Sequence, residues 1–479
     1  MTSTTRSGGS GAGTDPPGFE RRIGPLQATA INMTQMCGIG PFVTIPAMVA
    51  TVQGPQAMFG WIIGAIIALA DGLIWAELGA AMPGAGGTYL YLREAFQYRT
   101  GRLMPFLFAW SAVLFIPLIM STGVIGLVTY LGYLVPGVVD ADGHTTFLGH
   151  AIGIAVVALV VLALYRKIGQ IGKLTTVLFA VMLFSVLAVI VAAFTHFDAA
   201  QAFAFTPGAF SLGGGAFWSG LGAGLIIAIY DYLGYNTSAY LGAEVRDPGR
   251  TIPRAIVFSI LGIMSLYFLL QVGVLGAVPW QEVTESSSIA SLVFERTWGE
   301  TAAKILTVAI VITAFGSVFA GLLGGSRVPF EAARDKVFLP WFGRLHPRLH
   351  FPTFGLLAMG LITAIGSLFT LTDVINMALA VLVIIQSIAQ VAAIVTLRRR
   401  QPHLKRPYRQ WLFPVPTIIA LAGWIYIYYS ATSLSIRLSI AWIVVGIFAF
   451  TIWAKVERTW PFGEKDIQER FVAEEGVKG

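Results

Sequence analysis

What most restricts the fold of this chain is a succession of apolar runs, each about 20 residues long, that covers nearly its whole length. Lipid offers no hydrogen-bond partner to a backbone N–H or C=O, so a crossing segment must satisfy its own polar groups as a helix or in a closed barrel. Barrel strands need only about 9–11 residues, so runs of this length predict helices. Twelve spans fit, at roughly 26–50, 58–81, 103–134, 148–165, 171–194, 219–242, 256–278, 303–328, 353–371, 374–397, 413–433 and 438–456. The expected fold class is all-α and integral to a membrane, with about 12 transmembrane helices and no separate soluble domain.

Composition agrees: 56% of residues are hydrophobic and 11% charged, against about 25% charged in soluble domains. A net charge of +7 would suit an acidic partner such as nucleic acid if the cations clustered on one surface, but they are sorted by loop. All but three of the 31 lysines and arginines fall in the tails and alternate loops of one side, the exceptions being Arg296, Lys304 and Arg437. The opposite loops carry Asp140, Asp142, Asp198, Glu282, Glu285 and Glu295. Cytoplasmic loops are enriched in Lys and Arg, so the basic side, with both termini, is expected in the cytoplasm, and a multi-pass protein of the cytoplasmic membrane follows. One missed or invented span would scatter this pattern, which makes it a test of the count. The sequence therefore divides into a disordered Gly, Ser and Thr-rich cytoplasmic tail at 1–22, a membrane domain at 23–456 and a second cytoplasmic tail at 457–479. No cleavable signal pattern precedes the first span, which is expected to direct its own insertion.

Two spans hold segments that a continuous apolar helix would not choose. Cys37-Gly38-Ile39-Gly40-Pro41-Phe42 places two glycines and a proline inside the first span, where glycine weakens a helix and proline removes a donor. Tyr230-Asp231-Tyr232-Leu233-Gly234-Tyr235-Asn236 interrupts the sixth with an Asp, an Asn and three tyrosines. Each alone has a plainer reading, a kinked packing helix or a structural acid held by a donor. As a pair, in corresponding members of two five-helix halves, they point to a substrate site, because an unwound turn frees amides for an anionic group and carbonyls for a cationic one. The candidate substrate-binding residues are Gly38, Ile39, Gly40 and Pro41 from the first span, with Tyr230, Asp231, Tyr232, Leu233 and Gly234 from the sixth.

Asp71, within the second span, is the other acid at membrane depth. It is a candidate for proton coupling, with a direct amine ligand and a structural partner of a hydroxyl or lysine as the alternatives. Ser317, Asn376, Gln386 and Gln390 read as hydrogen-bonding glue between helices. Gly213, Gly214 and Gly215, and the spaced Gly220, Gly222 and Gly224, serve loop flexibility and close packing and form no phosphate loop, so ATP drive within the chain is excluded. Enzyme chemistry finds no inventory: His144, His150, His196, His346, His350 and His403 lie in loops or at span ends, and no HExxH occurs. The single cysteine, Cys37, permits no intramolecular disulfide and no CxxC metal site.

Four motifs in order resemble the amino acid-polyamine-organocation superfamily of permeases, over nearly the full length. Gly38-Ile39-Gly40-Pro41-Phe42 resembles its break in the first helix, and Ala76-Glu77-Leu78 with Met82-Pro83-Gly84-Ala85-Gly86-Gly87-Thr88-Tyr89-Leu90-Tyr91-Leu92 its exit from the second. Glu244 to Ala255 resembles the loop after the sixth helix, and Arg327 to Pro340 the loop after the eighth. The resemblance implies a leucine-transporter-type fold, a 5+5 inverted repeat at about 26–194 and 219–397, with extra helices in 413–456. By position it implies that Gly38, Ile39 and Gly40 offer amides to a substrate carboxylate, that carbonyls near Tyr230 to Leu233 take its amino group, and that Tyr230 is an aromatic lid. Glu244 would belong to a cytoplasmic gate. Ile39 stands where relatives have a small residue, Pro41 removes an amide, and Thr175 to Ala192 lacks the lysine that replaces a sodium ion in some relatives.

The expected function is secondary active transport of amino acids, cationic ones included, across the cytoplasmic membrane by alternating access. Carriage of polyamines or other organic amines is the alternative, and a membrane sensor without transport is a third reading that uptake assays separate. The partners expected are a small-molecule substrate and membrane lipid, with no nucleic acid, no cofactor and no metal. Proton or sodium coupling and the choice between monomer and homo-oligomer are left open by the sequence.

Overall fold

The computed structural model describes residues 21–462 apart from 85, 141, 142, 167, 212, 213 and 350, and only the backbone of 168–172. Both expected tails thus lie outside the described residues except for 21–22 and 457–462, as do Ala85, Asp142, Lys167, Gly213 and His350. Among the described residues the elements are helices, with three isolated bridges and no strand.

The first span is two helices, α1 (Pro25–Met36) and α2 (Gly40–Val52), bent by 44° across Cys37 to Ile39. Pro41 falls in the first turn of α2, where a missing N–H costs no intrahelical bond. It therefore starts the second half of the span; the unwinding belongs to Cys37, Gly38 and Ile39. The second and third spans are α3 (Ala57–Ala81) and α5 (Leu103–Leu134), joined by α4 (Thr88–Thr100) on the basic side. Then follow α6 (Phe147–Leu164) and α7 (Ile168–Thr195).

The sixth span runs as α8 (Ala216–Tyr232), stops at Leu233 to Asn236, and resumes as α9 (Thr237–Tyr240). After it come α10 (Pro248–Ala277), a peripheral α11 (Ile289–Trp298), α12 (Glu300–Gly325) and the short α13 (Arg327–Arg334). The ninth span is α14 (Thr353–Gly366). The tenth is one long helix with a π-helical turn inside it: α15 (Leu371–Leu382), the turn Val383–Ile388 and α16 (Ala389–Arg400). Helices α17 (Val415–Ser430) and α18 (Ser433–Val456) end the domain.

Eight of these helices are long and apolar enough to cross a membrane, and α1 with α2 makes a ninth. The remaining expected spans coincide with α8, α14 and α17, shorter apolar helices of 17, 14 and 16 residues. All twelve sequence spans thus fall on helices. Apolar side chains of the outer helices, such as Leu159 and Leu162 on α6 and Phe448 and Ile452 on α18, are exposed, as expected for lipid-facing positions. The broken helices α1, α2 and α8 lie inside, packed against α3, α7, α10 and α12.

Candidate functional site

The two breaks touch. Gly234 has φ +120°, a conformation that side chains disfavour, and a Cβ there would lie 2.9 Å from Cγ of Gln35 and 3.0 Å from the amide nitrogen of Met36. Glycine is thus required twice over at 234, by backbone angle and by the approach of the other broken helix. Asn32 of α1 fastens the contact: its amide donates to the carbonyl of Tyr235 at 2.6 Å and to Oγ of Ser238 at 3.1 Å, while its oxygen accepts from the Ser238 N–H at 2.8 Å. From α10, the buried Tyr267 hydroxyl donates to the carbonyl of Met36 at 2.7 Å and reaches that of Asp231 at 3.1 Å. One side chain thereby holds carbonyls from both interrupted helices, groups that the break deprives of part of their helical pairing.

Between the breaks lies a narrow cavity of about 20 Å³, on the order of one water molecule. Gly38, Ile39 and Gly40 line it from the first span, Tyr230, Asp231 and Leu233 from the sixth, and Ser317 from α12. Asp231 is 2% exposed; its Oδ2 accepts from the hydroxyl of Thr44 on α2, and its Oδ1 has no hydrogen-bond partner. Ser317 donates to the carbonyl of Gln35 at 3.1 Å. Tyr230 closes the cavity on one side, its hydroxyl paired with that of Thr122 on α5. Beyond it the Tyr130 hydroxyl donates to the carbonyl of Phe42 at 3.0 Å and accepts from the N–H of Ala290 at 3.3 Å.

Toward the basic side a second narrow space of about 20 Å³ continues from the first, sharing Gln35, Ile119, Met120 and Leu233 with it. Gly234, Asn236, Tyr240 and Gln386 line it, and the Tyr240 hydroxyl donates to Oε1 of Gln386 at 2.8 Å. Gln386 sits in the π turn of the tenth span, and such turns recur at functional sites.

Of the sequence candidates, Pro41 and Tyr232 line neither space. Tyr232 faces the scaffold, donating to the carbonyl of Trp61 at 3.2 Å and packing on the rings of Trp61 and Tyr267. Asp71 is also away from both cavities: its Oδ2 accepts from the Tyr235 hydroxyl at 2.6 Å and its Oδ1 from the Trp424 indole at 3.1 Å. It therefore holds a residue of the sixth-span break from α3 and α17. Sequence reasoning missed Thr44, Tyr267 and Asn32, and read Ser317 and Gln386 as glue. A polar residue one turn from a break is the signal that could have found Thr44 and Asn32; Tyr267, a tyrosine within a long apolar helix, carries no such mark.

The basic ends are tied by ion pairs. Glu244 meets Arg327 at 2.9 Å with both side chains buried, and the Glu244 carbonyl accepts from the N–H groups of Arg22 and Ile23, each at 2.9 Å. Glu77 is wholly buried and pairs with Arg398 and, at 3.3 Å, with Arg406. Burial lowers the pKa of the Arg406 guanidinium, and the nearby Glu77 only partly opposes this. Tyr89 and Arg93 of α4 both bind Asp335, the former at 2.9 Å. These contacts link the segments after the second, sixth, eighth and tenth spans below the cavities. Among the described residues no group of three or more His, Cys, Asp or Glu could hold a metal ion.

Two broken helices that meet at a narrow polar space, inside an otherwise apolar bundle, define a membrane carrier. The chain belongs to the amino acid permease family, whose profile matches residues 23–462. It is 29% identical over 349 residues to an uncharacterised transporter of Mycobacterium tuberculosis, covering 73% of this chain and 74% of that one. Similarity extends to the serine/threonine exchanger SteT of Bacillus subtilis, 27% identical over 86% of this chain and 91% of that protein. The cationic amino acid transporter 4 of Homo sapiens is 27% identical over 72% of this chain and 55% of its own length. The family confirms the all-α membrane fold expected from the apolar runs and the resemblance read from the four motifs.

Proposed function

We propose that the protein is a secondary active carrier that moves amino acids, cationic ones included, across the cytoplasmic membrane by alternating access. The observation that carries this reading is the narrow cavity where Gly38 to Gly40 face Tyr230, Asp231 and Leu233, with Asp231 as its one acidic group among the described lining residues. Substrate held there is enclosed by Tyr230 on one side and by the Glu244–Arg327 and Glu77–Arg398 pairs on the other. Opening one set while the other stays shut exposes the site to one face at a time. The names of relatives support the cargo class, being an exchanger of serine and threonine and a transporter of cationic amino acids. In this reading the units at about 26–194 and 219–397 are the inverted repeats, and the basic loops and both termini face the cytoplasm.

Asp71 is the proposed proton-coupling carboxylate, because its hydrogen bond to Tyr235 connects its charge state to the sixth-span break. The test is uptake by purified protein in liposomes, with radiolabelled amino acids and amines offered under imposed proton or sodium gradients. Time-dependent accumulation above empty liposomes is expected for at least one of them. Folded protein that accumulates none would remove the carrier reading and leave a sensor.

A further inference from the structure

Asp231 is more than an acid near the substrate path. Its Oδ2 is held by Thr44, while Oδ1 is buried, unpartnered and turned toward the first break. The contact is close: a Cβ added at Gly40, the first residue of α2, would collide with Asp231 Oδ1. No Lys, Arg or His lines either cavity, and none forms an ion pair with Asp231 among the described residues. A carboxylate taken this far out of water is costly to ionise unless a cation docks beside it.

This carboxylate stands at the helix start where an amino acid would place its own. A second carboxylate there would meet a like charge in a low-dielectric site, whereas an ammonium would meet its missing partner. Ile119, Met120, Ile39 and Leu233 in the same lining suit a hydrocarbon body, beside the polar Gln35, Tyr230 and Ser317. Ile39 also packs so closely on Gly126 that a Cβ at 126 would fall 2.5 Å from its Cγ2, which narrows the cradle further.

We propose that Asp231 supplies from the protein itself the carboxylate that an amino acid would bring, so that the preferred cargo is an organic amine without an α-carboxylate, its ammonium docked on Asp231 Oδ1. This rests on the cavity between the breaks being the substrate site, and it shifts the preferred cargo of that site from amino acids to their decarboxylated counterparts.

The experiment offers matched pairs to the purified full-length protein: leucine and isopentylamine, phenylalanine and phenethylamine, lysine and cadaverine, ornithine and putrescine. Thermal stabilisation gives an apparent affinity for each. In the wild type, the amine of at least one pair is expected to bind about tenfold or more tightly than its parent amino acid. In Asp231→Asn that preference should shrink or invert, because the like charge is gone; Asp231→Ser is the second variant should the first not fold. Parent amino acids that bind the wild type as well as their amines would overturn the proposal while leaving the carrier reading intact, as would an unchanged preference in a folded variant. If no member of any pair binds the wild type, the proposal falls together with the reading of the cavity.

Discussion

The hydroxyl of Thr44 donates to Oδ2 of Asp231, joining the second half of the broken first helix to the last turn of α8. The same hydroxyl lies 2.9 Å from the carbonyl of Gly40 in its own helix, so it orients the carboxylate from the rim of the break. A hydrogen bond to a charged group contributes about 1.5–3 kcal/mol. Thr44→Val should therefore weaken substrate binding by about 10- to 100-fold, while Thr44→Ser stays near the wild type. Apparent affinities from thermal shift check both, and equal binding by the valine variant would mean that Thr44 does not position Asp231.

The pair of Glu244 and Arg327 is buried from both sides, at 1% and 4% side-chain exposure. Removing one partner leaves an uncompensated charge, at a cost of about 3–5 kcal/mol. Arg327→Leu and Glu244→Leu should each lower the melting temperature of the purified protein markedly. The double variant should be less destabilised than the two single losses added together, since it leaves neither charge behind. If the losses simply add, the two residues do not act as a pair.

Most of the frame was legible in the sequence. Apolar length gave the spans, and the sorting of cations by loop kept their count at twelve. Both interruptions were visible because Gly38, Gly40, Asp231 and Gly234 break the local rules of an apolar helix. What stayed hidden depends on tertiary contact. Nothing in the sequence marks Tyr267, the one tyrosine of α10, as part of the site, because its role comes from two carbonyls 231 and 36 residues away. Pro41 looked like part of the unwound turn, yet a proline is equally at home in the first turn of the next helix, where it stands. Tyr232 follows Asp231 directly, and the helical turn of about 100° per residue carries it to the scaffold side.

For Asp71, the measurement is the pH dependence of uptake. Asp71→Asn keeps the size of the side chain and an acceptor for Tyr235 but cannot take up or release a proton. If this carboxylate couples protons, uptake by the variant becomes independent of an imposed pH gradient. A profile unshifted from the wild type would leave Asp71 with only its structural bonds to Tyr235 and Trp424.

Orientation can be read with thiols, because the single cysteine, Cys37, is buried. In intact cells, His144→Cys is expected to react with a membrane-impermeant maleimide, and His403→Cys only after the membrane is opened. The reverse pattern would invert the topology.

The central claim, that cargo is held between the two breaks, is tested most directly at Ser317, which lines the cavity from α12. Ser317→Ala removes its hydroxyl with no added bulk, and Ser317→Leu fills part of the space between Gly38 and Asp231. Binding and liposome uptake should persist in the alanine variant, which should melt near the wild-type temperature, and disappear in the leucine variant, whose added bulk should cost about 1–3 kcal/mol of stability without unfolding it. A folded Ser317→Leu protein that binds and transports as the wild type does would place the substrate elsewhere.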